Sequence, residues 1–247
     1  MPRIFLYVFL LFVLVQACTR NRLDVDVSGI EANVDIKRLD RDVFHFQSIR
    51  DTAFIDSLRQ VYGRFFTLYN KQIIGIGSSD QQAYPNHLMT FITDFRIKMA
   101  REKTQEVFPD VSGLEEQLTY AFKHFKYYFP KKPLPEVYSM ITGFSYSVVT
   151  DSLLVGIGLD RYLGRDYYFY GRLNWPKYLR YKMFKEKIPS DVMQAYAMME
   201  FPYKDSTDNL INRMIYQGSI KYFTKAMLPR QPDSLIFAYS RKEMEWS

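Results

Sequence analysis

Hydrophobic and polar positions alternate along this chain in blocks that read as a leader, a run of helices, a few strands and more helices. Ile4 to Val15 is an uncharged apolar run that follows the basic start Met-Pro-Arg. It is too short to cross a bilayer comfortably, which takes about 20 apolar residues. With small Ala17 at its end and the polar stretch TRNRLDVDVSG beyond, residues 1–17 read as a signal peptide. Residues 18–29, closed by Ser28-Gly29, read as a tether to a domain over 30–247.

Within that domain Val34, Ile36 and Arg38 alternate with Asp35, Lys37 and Leu39, a short strand pattern. Phe54, Ile55, Leu58, Val61, Tyr62, Phe65 and Phe66 recur at helical spacing after Asp51, which suits an N-cap. Leu88, Phe91, Ile92 and Phe95 form one stripe of a segment that begins near Pro85. A helix from Ser112, with Glu115 at capping-box spacing, ends at Pro130. The Val-, Ile- and Tyr-rich stretch after PKKPLP predicts strands at 136–141, 145–149 and 153–158, paired antiparallel through turns at Thr142-Gly143 and Thr150-Asp151-Ser152. Helices return at 189–199 and 206–226, with a short one after Pro232. In the long one, Ile211, Met214, Ile215, Gly218 and Tyr222 form a stripe read as core, and Arg213, Gln217, Lys221 and Lys225 form a basic face. Gly218 inside that helix suggests a close approach beneath it, because Gly costs about 1 kcal/mol against Ala there. The layout predicts a single α+β domain with helices on a small antiparallel sheet.

Composition sharpens the picture. The chain has 20 Phe, 20 Tyr and 2 Trp, enough to fill a sizeable core, and its single cysteine excludes an internal disulfide. That cysteine, Cys18, closes Val15-Gln16-Ala17-Cys18, which resembles the bacterial lipobox, with Gln16 a departure. In that motif the cysteine is acylated and becomes the mature N-terminus, and diacylation, palmitate included, supplies the two membrane signals that stable anchoring needs. The expected location is the cell envelope, lipid-anchored and facing the periplasm, on either membrane. The net charge of +6 then favours anionic lipid or an acidic protein surface over nucleic acid.

Catalytic signatures fail. GFSYS at 143–147 has Ser147 where a nucleophile elbow needs Gly. GIGSSD and GIGLDRYLG contain Gly-x-Gly without completing a dinucleotide fingerprint. His45, His87 and His124 lie far apart, with no metal-binding spacing. Neither a metal nor a cofactor is expected, and no catalytic residue is assigned. Residues 160–186 stand out instead: Arg161, Arg165, Arg172 and Arg180 are interleaved with Tyr162, Tyr167, Tyr168, Tyr170, Trp175, Tyr178 and Tyr181. Such residues dominate binding hot spots, through large rigid area and polar tips. Arg161, Arg165, Tyr168, Arg172, Trp175, Gln217 and Lys221 are the candidate partner-binding residues.

GIGLDRYLGRDY, PKYLRYKM, INRMIYQGSIKYF and KAMLPRQPDSL, in this order, resemble the gliding-motility lipoprotein GldB family. The resemblance covers roughly residues 18 to 246 and is most specific over 156–233. It implies a non-enzymatic envelope lipoprotein that supports gliding or its associated secretion machinery through contacts with other envelope proteins. It also implies that members continue past Trp246, so that this chain reads as a shortened one. The family is in turn distantly similar to zinc metallopeptidases, whose His-Glu-x-x-His would fall on Tyr216, Gln217 and Ile220, and these cannot perform that chemistry. A divergent metallopeptidase-like hydrolase and a cell-wall glycan-binding lipoprotein are the alternative readings.

Overall fold

The computed structural model describes residues 21–203 and 209–239. Residues 1–17, read as a signal peptide, and Cys18 lie outside the described residues.

The first strand, β1 (Ile36–Arg38), runs into the short helix α1 (Leu39–Asp42). Four helices follow: α2 (Thr52–Leu68), α3 (Tyr84–Thr93), α4 (Phe95–Val107) and α5 (Ser112–Tyr128). Asp51 caps α2 as expected, its carboxylate accepting from the Phe54 amide at 3.0 Å. The segment from Pro85 to Val107 is not one helix. Asp94 leaves the helical region at ψ 135° and caps α4 instead, accepting from Arg96 N at 2.8 Å. Phe95 is thereby turned to solvent.

The capping box at Ser112 does not form, since no side chain caps α5. Glu115 is used elsewhere. Its Oε1 accepts from Ile36 N at 2.8 Å, and Thr119 Oγ1 accepts from Val34 N at 2.9 Å. These alternate amides would otherwise line an open sheet edge, so two side chains of α5 close β1 where no further strand pairs with it.

Strands β2 (Glu136–Met140), β3 (Val148–Asp151) and β4 (Leu154–Gly158) complete a four-stranded sheet in the order β1-β2-β4-β3. The sheet is mixed, which corrects the expected antiparallel one. β1 and β2 are parallel, with Ile36 opposite Val137, and so are β2 and β4, with Val137 opposite Val155. Only β3 and β4 form a hairpin, with Asp151 opposite Leu154. The reason lies in β4. Leu-Val-Gly-Ile-Gly is a run without polar side chains and is buried along its whole length, so it takes the central position with a neighbour on each side. Half-exposed β3 takes the edge.

β4 also explains its two glycines. A Cβ on Gly156 would sit 2.8 Å from Phe65 Cε2, the ring that stacks 4.1 Å from Tyr138 and joins α2 to the sheet. A Cβ on Gly158 would land on the Tyr146 carbonyl oxygen. Val155 and Ile157 point to the opposite face and are fully buried, so both faces of β4 are covered.

Beyond the sheet lie short α6 (Tyr168–Arg172) and α7 (Lys177–Arg180), then α8 (Ile188–Glu200), α9 (Leu210–Met227) and α10 (Asp233–Phe237). Tyr196 of α8 meets Phe122 and Phe125 of α5 edge-to-face at 5.5 and 5.1 Å, and Phe223 of α9 completes this cluster. The stretch read as a tether is docked from its first described residue. Asn21 Nδ2 donates to Pro229 O at 3.0 Å, Tyr120 donates to Asp24 at 2.9 Å, and Val27 is buried.

Gly158→Ala is expected to destabilise the domain by about 2–3 kcal/mol, because the clash is with backbone and not with a side chain that can swing away. Gly113→Ala, in open space on α5, is expected to be neutral or to stabilise by up to about 1 kcal/mol. Urea midpoints of the two variants check the contrast, and equal midpoints would contradict this packing of β4.

Candidate functional site

The chain after β4 is organised by Asp160, a wholly buried carboxylate. One of its oxygens accepts from Thr142 N at 3.0 Å and Phe144 N at 2.6 Å, and Thr142 Oγ1 lies 3.3 Å from both. Gly143 and Phe144 sit at φ +65° and +68°, left-handed values that Phe adopts rarely. The two amides converging on one oxygen hold the 142–145 loop in that conformation. Burial pushes the Asp160 carboxyl up to about 6, with the hydrogen bonds from Phe144 and Thr142 pulling the other way.

The next residue carries this order outward. Arg161 Nη1 donates to Phe144 O at 3.0 Å, and its guanidinium lies over the Trp175 ring at 4.0 Å. Trp175 stacks on Tyr170 at 5.5 Å, and the Tyr170 hydroxyl donates to Asp160 O at 2.8 Å while accepting from Leu163 N. Tyr162 donates to Asp191 on α8 at 3.0 Å, and Phe169 stacks on Phe144 at 5.3 Å. These rings fasten an otherwise irregular segment to the sheet and α8.

Tyr167 is also buried, its hydroxyl donating to Met99 O at 3.3 Å, while three other rings point out. Tyr168 is 54% exposed and Tyr178 67%, with Tyr181 partly exposed beside them. Arg172 and Lys177 are exposed as well. Arg165 lies over Tyr181 at 4.1 Å and Phe184 at 4.2 Å, which fixes a cation at the rim of this surface.

The structure therefore divides the predicted set. Arg165, Tyr168 and Arg172 are each exposed to solvent. Arg161 and Trp175 face each other and hold the segment from beneath. Gln217 and Lys221 belong to α9, and Lys221 corrects the expectation of a solvated basic face. Its Nζ donates to Gln194 on α8 and to Ile236 O at 3.0 Å. Burial, reinforced by Lys187 and Lys182 nearby, pulls its ammonium down to about 8.

The apolar stripe of α9 is reversed in the same way. Ile211, Met214, Ile215 and Tyr222, read as core, are 62–68% exposed, and the helix is held instead by Ile220, Thr224, Ala226 and Met227. A Cβ on Gly218 would meet nothing within 4 Å, so the close approach inferred for it is not made among the described residues.

A cleft of about 600 Å³ went unnoticed in the sequence. It opens between the 142–145 loop and α3, with His87, Asp94, Arg96 and Ser145 among its polar walls. Its only sequence signal is the pair of loops Gly75-Ile-Gly77 and Thr142-Gly143, read as turns. His124 is buried against Tyr120 on α5, and His87 Nδ1 lies 3.0 Å from Ile76 O. Among the described residues no group of His, Cys, Asp and Glu is placed to hold a metal ion, and no helix is long and apolar enough to cross a membrane.

Residues 20–247 match the family model described as gliding motility protein GldB. No curated protein and no solved structure matches the chain.

The raised Asp160 carboxyl has a defined sign. The folded chain binds this proton more tightly than the unfolded chain, so the group's contribution to stability falls as pH rises from 3.8 through about 6. For a fully buried carboxyl this corresponds to roughly 3 kcal/mol. Asp160→Asn keeps an acceptor for both amides and cannot ionise. The stability of the native chain relative to this variant is therefore expected to drop by roughly 2 kcal/mol between pH 4 and pH 7, read from urea titrations. Parallel pH profiles would show that Asp160 does not titrate as its burial demands.

Proposed function

We propose, since the chain belongs to the gliding motility protein GldB family, that it is a lipid-anchored protein of the cell envelope that docks other proteins of a gliding apparatus or its associated secretion machinery. In this reading Cys18 carries the lipid, the domain faces the periplasm, and the work is done by contact and not by catalysis.

The observation that carries the reading is the division of labour in residues 161–182. Buried Tyr162, Phe169 and Tyr170 hold the segment in one conformation, while Tyr168, Tyr178, Arg165 and Arg172 are presented outward from it. A surface fixed before binding loses little entropy on docking, and Tyr and Arg give much contact area per ordered rotor. A segment that served only to fill the core would bury its rings without this outward set. The +6 charge and the exposed arginines favour an acidic partner surface.

The test is photocrosslinking in cells from position 168, combined with the double variant Arg165→Glu/Arg172→Glu. A discrete set of envelope proteins should crosslink, and the double variant should lower their recovery at least about tenfold, near 1.4 kcal/mol. Its melting temperature should stay close to that of the parent, because both arginines are exposed. Undiminished crosslinking by the double variant would remove the role assigned to this surface.

A further inference from the structure

α9 presents an unusual face to solvent. Leu210, Ile211, Met214, Ile215 and Tyr222 recur along one side of the helix, each at least 62% exposed. Scattered apolar residues at a surface need no explanation, but a contiguous row of this size marks a contact. From Leu210 to Tyr222 the row is about 18 Å long at 1.5 Å per residue. It ends in an apolar groove of about 530 Å³, where Gly218 leaves a notch and Tyr128, the last residue of α5, and Phe129 just beyond it form the opposite wall.

The N-terminal chain identifies the occupant. Leu23 lines this same groove beside Ile215 and Tyr222, and Asn21 is tied to Pro229 O just before it. Only Thr19 and Arg20 separate Cys18 from Asn21. Three residues reach at most about 10 Å when fully extended. Lipid on Cys18 therefore brings a bilayer surface to the mouth of the groove in which the apolar row ends.

We propose that the exposed apolar face of α9 lies on the bilayer that holds Cys18, giving the domain a second, non-covalent membrane contact that fixes its orientation. This rests on the reading of Cys18 as the lipidated residue. The chemistry of the face suits it. Leu, Ile and Met side chains can enter the acyl boundary from a helix lying in the interface plane. Tyr222 and Tyr128, and Tyr127 next to it, bring rings with a polar tip, the type that settles at headgroup level. Exposed Arg22 lies between the anchor and the groove, where an anionic headgroup would meet it. The docked N-terminal segment supplies the geometry, since a long free tether would let any face turn toward the membrane. A covalent lipid fixes distance, and the helix face fixes rotation.

The chain contains one cysteine, and lipidation caps its sulfur through a thioether bond to the diacylglyceryl group, so Met214→Cys introduces a single free thiol in the full lipidated chain. The purified variant, carrying an environment-sensitive fluorophore at 214, is placed in phosphatidylethanolamine–phosphatidylglycerol vesicles whose acyl chains bear nitroxide. Tyr178→Cys, labelled alike, is the reference on the proposed partner surface. Emission at 214 should shift to the blue and be quenched at least about twofold more by the lipid nitroxide than emission at 178. Equal quenching at both positions, in protein whose mass shows acylated Cys18, overturns the membrane contact and leaves the anchor standing. Shielding of 214 that depends on protein concentration and not on lipid nitroxide assigns the face to a second copy and overturns the proposal as well. A mass without acyl groups on Cys18 overturns the anchoring reading, and the proposal falls with it.

Discussion

The buried Asp160 carboxylate joins the two parts of this molecule that matter most. An ionisable group this deep is costly unless its lone pairs are satisfied, and here they are satisfied by the amides of Thr142 and Phe144. That makes a loop with two successive left-handed residues the lowest-energy partner for the end of β4. Because the backbone oxygen of Asp160 also accepts from Tyr170, the same residue positions the aromatic segment. Arg161 repeats the pattern, with one nitrogen on the loop and its flat face on Trp175. The sheet, the strained loop and the outward surface are thus coupled through two consecutive residues.

The sheet makes that coupling rigid. β4 can be central only because Gly156 and Gly158 give up side chains to the Phe65 ring and the Tyr146 carbonyl. A central strand transmits position better than an edge strand, since both of its hydrogen-bonding sides are fixed. The end of β4, where Asp160 follows, is paired on both sides and buried. Closure of β1 by Glu115 and Thr119 serves the other end of the sheet. A glutamate with helix-capping spacing was drawn away by unpaired strand amides, whose desolvation costs more than an exposed helix end open to water.

What could be read from the sequence depended on whether the relevant force was local. Asp51 capping α2 involves residues three apart, and the pattern showed it. The strands after Glu136 were legible to within a few residues, but their order was not, because it depends on which strand must be buried on both faces and not on which turns are short. The polarity of LVGIG carried that information, and the turn signals at 142 and 150 outweighed it. In the candidate surface, Arg165, Tyr168 and Arg172 are exposed, which composition alone could not say. The inward roles of Arg161 and Trp175 could not be seen, since a guanidinium stacked on an indole and one bound to a partner have the same spacing in sequence. The cleft beside the 142–145 loop was hidden for the same reason, its walls coming from segments more than forty residues apart.

The reversal of α9 is a different kind of error. Amphipathic spacing reports which side of a helix avoids water and is silent about what replaces the water. Core is the usual replacement, so the stripe through Met214 was assigned to it. Yet the side that packs inward carries Ile220, Thr224, Ala226 and Met227 near one end of the helix, together with Lys221, which finds Gln194 and a carbonyl. A lysine is a poor choice for a packed position when apolar side chains of the same helix are left in water. The domain accepts that lysine, with its ammonium pulled down by burial, and leaves the better packing surface outside. A contact on the outer surface would account for this arrangement, and Leu23, near the start of the described chain, lines the groove beside it.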